Sequence, residues 1–120
     1  LGLSYLNFGE FKKAEQTFQE IIGFREHEYY LKSLYNLGLI FFKSKDWKKA
    51  IRFWDTYISL EKRRDNVVQT KFLMGNAYET MEELKKAYNI YYSILGEYPN
   101  NDVIKNRLNS LYKRRIARKR

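Results

Sequence analysis

Apolar and polar positions follow one another along most of the chain at the three- and four-residue spacings of helices that bury one face. The pattern predicts helices near 1–7, 11–24, 31–43, 47–61, 68–80, 84–96 and 102–116, separated by short polar breaks. It also recurs. Gly2, Gly38 and Gly75 stand 36 and 37 residues apart, and Ala14, Ala50 and Ala87 keep the same two intervals. Aligned on these small residues, Tyr5, Phe41 and Tyr78 fall in one column, Phe11, Trp47 and Leu84 in a second, and Phe18, Trp54 and Tyr91 in a third. A fixed period of this size marks stacked supersecondary units, none of which can bury its apolar face alone.

Packing explains the residue types in those columns. Glycine inside a helix costs about 0.5–1 kcal/mol relative to alanine, so three glycines at one phase predict close backbone approach between the helices of a pair. The alanines serve the same contact from the facing helix, and the aromatic columns fill the space on either side. The last predicted helix carries one apolar stripe, Ile104, Leu108 and Leu111, with Lys105, Asn106, Arg107, Asn109 and Ser110 facing elsewhere. That is the form of a terminal cap with a polar outer side. Asp102 is the expected N-cap, and the basic residues at the other end suit the helix dipole.

With these columns in place, the chain resembles the tetratricopeptide repeat family, whose units of about 34 residues fold as helix A, turn, helix B. The segments LYNLGLIFFKSKDWKKAIRFW (34–54) and FLMGNAYETMEELKKAYNIYY (72–92) carry the resemblance most clearly. Leu37, Gly38, Phe41, Trp47, Ala50, Trp54 and Tyr57 occupy signature columns of one unit, and Met74, Gly75, Tyr78, Leu84, Ala87, Tyr91 and Ile94 those of the next. Pro99, followed by Asn100 and Asn101, matches the unit-ending proline. The resemblance implies an all-α fold, a right-handed α-solenoid of antiparallel helix pairs. It divides the chain into a partial unit over 1–30 that lacks most of its helix A, units over 31–67 and 68–101, and a capping helix with a basic tail over 102–120. The first unit begins on the column that is normally seventh, so the natural array is expected to be longer. The junctions at 23–30 and 59–67 lack the proline and carry two or three extra residues, expected to lengthen helix B or its loop.

Composition then removes several classes. The chain has 120 residues, 44% of them hydrophobic, enough for a core, and no cysteine, hence no disulfide framework, thiolate nucleophile or cysteine-based zinc site. Its longest run without polar side chains, 37–42, is six residues, where a membrane span needs roughly 20. The start at Leu1, without methionine or a signal pattern, points to an upstream part not included. Twenty-three basic against 14 acidic residues give a net charge of +9, but six of the last eight residues are basic, and without them the count is 17 against 14. The charge excess belongs mainly to the tail.

Candidate chemistry is sparse. His27 is the single histidine, and His27-Glu28-Tyr29-Tyr30-Leu31 departs from the H-E-x-x-H zinc pattern at its fifth position. No phosphate-loop, dinucleotide or nucleophile-elbow string occurs, and Glu82-Glu83 lie at a predicted helix start, where they favour the dipole. No catalytic activity, cofactor or metal is expected. Aromatic residues make up 18% of the chain, enough to raise a base-stacking platform. Eight of the nine positions in the three aromatic columns account for much of that excess as core.

What remains is an interaction surface. The family resemblance implies that helix A positions two, five, nine, twelve and thirteen line a concave groove. These match Leu3, Leu6 and Asn7 in the first unit, Lys32, Tyr35, Leu39, Phe42 and Lys43 in the second, and Gln69, Phe72, Asn76, Glu79 and Thr80 in the third. The apolar members would hold an amphipathic helix or extended peptide, with Lys32, Lys43, Asn36 and Asn76 supplying polarity. The two-carboxylate clamp known in the family is disfavoured: Asn36 fits it, but Leu3, Gln69 and Leu73 stand where Asn, Lys and Arg are needed. Two alternatives accompany the peptide-binding reading. Lys113, Arg114, Arg115, Arg118, Lys119 and Arg120 could bind nucleic acid, an acidic protein or an anionic membrane surface, and the open N-terminal unit could pair copies of the chain into a homo-oligomer.

Overall fold

In a computed structural model, residues 27–119 are described, and among them stand five helices and no strand: α1 (His27–Lys43), α2 (Trp47–Leu60), α3 (Arg64–Thr80), α4 (Leu84–Ser93) and α5 (Asn101–Lys119). The fold is all-α and paired, as the periodicity predicts. The chain divides between Glu61 and Lys62 into two compact units. In the first, α1 packs on α2; in the second, α3 packs on α4 and α4 on α5. The helices expected near 1–7 and 11–24, and with them Leu3, Leu6 and Asn7, lie outside the described residues.

Both helix pairs reverse through the same turn. In the first, the Ser44 N–H donates to the Ile40 carbonyl (3.0 Å) and the Asp46 N–H reaches back to Phe41 (2.8 Å); in the second, Met81 donates to Ala77 (3.0 Å) and Glu83 to Tyr78 (2.9 Å). These bonds satisfy carbonyls that the ending helix leaves without partners. Each turn places one non-glycine residue in the left-handed region, Lys45 at φ 67° and Glu82 at φ 61°, a geometry that costs about 1 kcal/mol. The two are 37 residues apart, in step with the glycine ladder. A reversal this short makes each pair antiparallel. Asp46 then caps α2, its Oδ1 accepting from the Lys49 N–H at 3.3 Å.

The repeated columns form one contact in each pair. A Cβ placed on Gly38 would stand 2.5 Å from Trp54 Cε2, with other indole atoms nearer still, and one on Gly75 would stand 2.7 Å from Tyr91 Cζ. The glycine ladder therefore makes room for an aromatic ring of the partner helix, a more specific role than close backbone approach. Ala50 and Ala87 are buried on the facing helices. Around the first notch, Phe42 packs on Trp47 (5.0 Å between ring centres) and on Trp54 (5.6 Å), and Phe41 stacks on Phe53 (5.6 Å). In the second unit Ile104, Leu108 and Leu111 of α5 join Val68, Leu84, Ala87, Tyr91 and Ile94 in one core. The expected cap stripe is thus the stripe that buries, and full burial of each Ile or Leu contributes about 1.5–3 kcal/mol.

Element ends differ from expectation in five places. α1 starts at His27 and α3 at Arg64, four residues before the predicted starts, so at the second junction the extra residues extend helix A and leave only Glu61, Lys62 and Arg63 as linker. No proline blocks that extension, and Asp65 in the first turn favours it. α4 ends at Ser93, ahead of Gly96, whose φ of +87° suits glycine. Asn100, rather than Asp102, caps α5: its Oδ1 accepts from the Val103 N–H at 3.3 Å, while Asn101 Oδ1 takes the Gly96 N–H at 3.0 Å. Finally, α5 continues to Lys119, past the predicted end near 116, so the basic segment is helical through that residue.

Candidate functional site

On α1 the positions expected to form a groove share one face, since 32, 35, 39, 42 and 43 follow at helical spacing. Lys32 and Lys43 are exposed; Tyr35, Leu39 and Phe42 are half-buried. The two rings are already engaged within their own pair. Tyr35 tilts against Tyr57 at 5.4 Å and Phe42 rests on the two tryptophans. Burial raises the Tyr35 phenol above its usual pKa. The Trp54 indole N–H donates to the Tyr35 carbonyl at 3.1 Å, a reach the missing Cβ of Gly38 permits. Asn36, by contrast, is only 8% exposed and offers little polarity to a ligand.

The corresponding face of α3 has a different character. Counting 37 residues on, Leu39 becomes Asn76 and Phe42 becomes Glu79. The Tyr91 hydroxyl lies 2.6 Å from Asn76 Oδ1 and 3.1 Å from Glu79 Oε1, so its single proton is shared between two acceptors. Burial and the neighbouring Glu79 charge both push this phenol far above its usual value, against the weaker opposing charge of Arg107. Phe72 stacks on Tyr98 at 4.4 Å and tilts against Tyr91 at 6.0 Å. Gln69 and Thr80 are exposed.

Arginines of α5 complete this arrangement. Arg114 donates to Glu79 Oε2 (3.1 Å) and to Glu82 Oε2 (2.6 Å), Arg107 lies 3.5 Å from Glu79, and Arg118 donates to the Glu82 carbonyl at 3.1 Å. Glu79 retains only 15% of its side-chain exposure, which makes its pairs less screened than the others. Asn76, Glu79, Thr80, Glu82, Arg107 and Arg114 line a cleft of about 360 Å³. Acids and bases in it are already matched to each other. The sequence signal for this network was the replacement of Leu39 and Phe42 by Asn76 and Glu79, together with arginines at 107, 114 and 118 on one side of α5.

The six tail cations therefore divide. Arg114 and Arg118 are paired with carboxylates, and the Arg115 guanidinium sits over the Tyr88 ring at 5.6 Å. Lys113 is exposed. The side chains of Lys119 and Arg120 lie outside the described residues, as does the N-terminal face expected to pair copies of the chain. Among the described residues no cluster of three metal-ligating side chains occurs, and no helix is long and apolar enough to cross a membrane.

Antiparallel helix pairs repeated at a fixed interval, each closed by a ring seated on a glycine, define a helical-repeat protein. The tetratricopeptide repeat profile matches residues 32–61 and 69–101. Spanning more than half of the sequence, these two repeats show that the chain belongs to the tetratricopeptide repeat family, whose repeats generally mediate protein–protein interactions and are typically non-catalytic. A search of curated proteins returned no match.

Proposed function

We propose that the protein is a non-catalytic interaction module that holds a partner segment, an amphipathic helix or extended peptide, against the helix A face of its repeats. The observation that carries this reading is on α1. Leu39 stays partly open between two exposed lysines, beside the rings of Tyr35 and Phe42 that Tyr57, Trp47 and Trp54 already hold in place. Rings ordered before binding lose less side-chain entropy on association. A ligand for this face offers an apolar side chain to Leu39 and the ring edges, and acidic groups to Lys32 and Lys43. On α3 the matching contacts are Phe72, with Asn76 giving hydrogen bonds.

The test follows from what each side chain supports. Phe42 belongs to the packing around Trp54, so its loss would unfold the pair and confuse the result. Leu39→Glu combined with Lys43→Glu alters the face and leaves the ring cluster intact. Affinity capture with the 120-residue chain is expected to lose its partner in this variant while the melting temperature stays within about 2–4 °C of the parent. Undiminished capture by the folded variant contradicts the assignment. The anion-directed alternative stands second, because Arg114, Arg115 and Arg118 already have partners in the chain.

A further inference from the structure

The cleft between α3 and α5 lies wholly within the second compact unit, and its charges are paired unevenly. Arg114 donates to Glu79 at 3.1 Å and to Glu82 at 2.6 Å, and Arg118 adds a contact of 3.8 Å to Glu82. Arg107 is held more loosely. It stands 3.5 Å from a Glu79 oxygen that Arg114 already occupies, and it makes no hydrogen bond among the described residues. Three guanidiniums thus face two carboxylates, and the Arg107 side chain, 47% exposed, is the one whose counter-ion is shared.

A second group in the cleft has unused donors. The Asn76 carboxamide accepts the Tyr91 proton through Oδ1 at 2.6 Å, which leaves its Nδ2 hydrogens with no partner among the described residues. Thr80 has no such donor to spare, because its hydroxyl proton goes to the Asn76 carbonyl at 2.8 Å. The two donor groups belong to one connected set: the Tyr91 hydroxyl touches both Asn76 and Glu79, and Glu79 touches Arg107. Spare N–H groups and an excess of one positive charge call for a monoanionic acceptor. A dianion such as phosphate would overshoot that charge and lie beside Glu79 and Glu82, at a cost in like-charge repulsion.

We propose that this cleft takes the side-chain carboxylate of an aspartate or glutamate on the partner segment, held by the Arg107 guanidinium and the Asn76 amide. The proposal rests on the reading that a partner lies against the helix A face, and it adds an acidic contact at α3 and α5. A carboxylate can accept from both groups at once, and such charge-assisted bonds are roughly twice as strong as neutral ones. Its methylene stem lets the acid enter the cleft of about 360 Å³ while the partner backbone stays outside. Arg107 then exchanges a long contact for direct hydrogen bonds, and Glu79 keeps those from Arg114 and Tyr91.

The test is a nuclear magnetic resonance titration of the ¹⁵N-labelled 120-residue chain with the tripeptide acetyl-Ala-Glu-Ala-amide. Saturable shifts are expected at the Asn76 side-chain amide and the Arg107 Nε–H. The glutamine analogue, acetyl-Ala-Gln-Ala-amide, should shift neither, a comparison that needs no variant. Arg107→Gln should weaken binding of the glutamate peptide at least about tenfold, with the rest of the spectrum confirming the fold. No shift with the glutamate peptide, equal shifts with the glutamine analogue, or parental binding by Arg107→Gln overturns the proposal. So does equal binding of acetyl-Ala-Gln-Ala with a free C-terminal carboxylate, which would assign the site to a chain end, or tighter binding of inorganic phosphate, which would make it a site for dianions. Loss of partner capture by Leu39→Glu with Lys43→Glu, together with no shift in this titration, removes the cleft assignment and leaves the α1 reading standing.

Discussion

The two helix pairs share a frame and differ at its polar end. Each has a glycine on the first helix, a ring from the second seated on it, a buried alanine, and a left-handed residue at the turn. In the first pair the ring is an indole, whose N–H is satisfied by a backbone carbonyl, so positions 39 and 42 are free to be Leu and Phe. In the second the ring is a phenol, whose hydroxyl reaches past the helix and meets Asn76 and Glu79 at those same positions. The choice of ring thus fixes the chemistry of the adjacent face: apolar with lysine borders on α1, polar and tied to the arginines of α5 on α3.

The shared part should give the largest effects. Trp54→Ala and Tyr91→Ala remove fully buried rings and should each destabilise the chain by roughly 3–5 kcal/mol in urea unfolding. Gly38→Ala and Gly75→Ala push a Cβ into those rings and should cost about 1–3 kcal/mol each. Their costs should be similar, and a neutral alanine at either site would show that the notch is not needed there.

The polar end should separate the pairs. Glu79→Gln weakens the contacts with Arg107 and Arg114 and should cost on the order of 1 kcal/mol, with the partial exposure of those arginines limiting the loss. Alkaline pH gives a second handle. The Tyr91 pKa is raised in the folded state, so the unfolded chain releases that proton first, from about pH 10. Stability contributed by the neutral phenol is complete below that pH and declines as pH rises through the folded value. Tyr91→Phe should therefore flatten the alkaline loss of stability, and an unchanged slope would remove the buried hydroxyl from the account.

The smallest effects lie at the turns. Lys45→Gly relieves a left-handed φ and should stabilise by about 0.5–1 kcal/mol. Glu82→Gly relieves the same strain but loses the contacts with Arg114 and Arg118, so it should gain less than Lys45→Gly or be neutral. Equal gains would show that those exposed pairs contribute nothing.

Much of this frame was legible in the sequence because it rests on residue size at a fixed phase. Gly38, Gly75, Ala50, Ala87, Trp54 and Tyr91 could be placed by spacing alone, and the stripe of Ile104, Leu108 and Leu111 by its period. The polar end was not legible in the same way. A basic run such as Lys113 to Arg118 reads as a single patch until the helix phase and the positions of Glu79 and Glu82 are known, and only then do Arg114 and Arg118, paired with those carboxylates, separate from Arg115 over Tyr88 and from the exposed Lys113. Helix starts at His27 and Arg64 were missed because no proline or strong cap marks them, and the Asn100 cap because Asp102 offered an equally suitable side chain.

The central functional claim is that a partner lies against the helix A face of α1. Site-specific photo-crosslinking tests it most directly, with a photoreactive phenylalanine derivative at position 39 and, for comparison, at position 52, exposed on α2. The account predicts a crosslinked partner from position 39 and little from position 52. Crosslinking of that partner from position 52 and not from position 39 would contradict it.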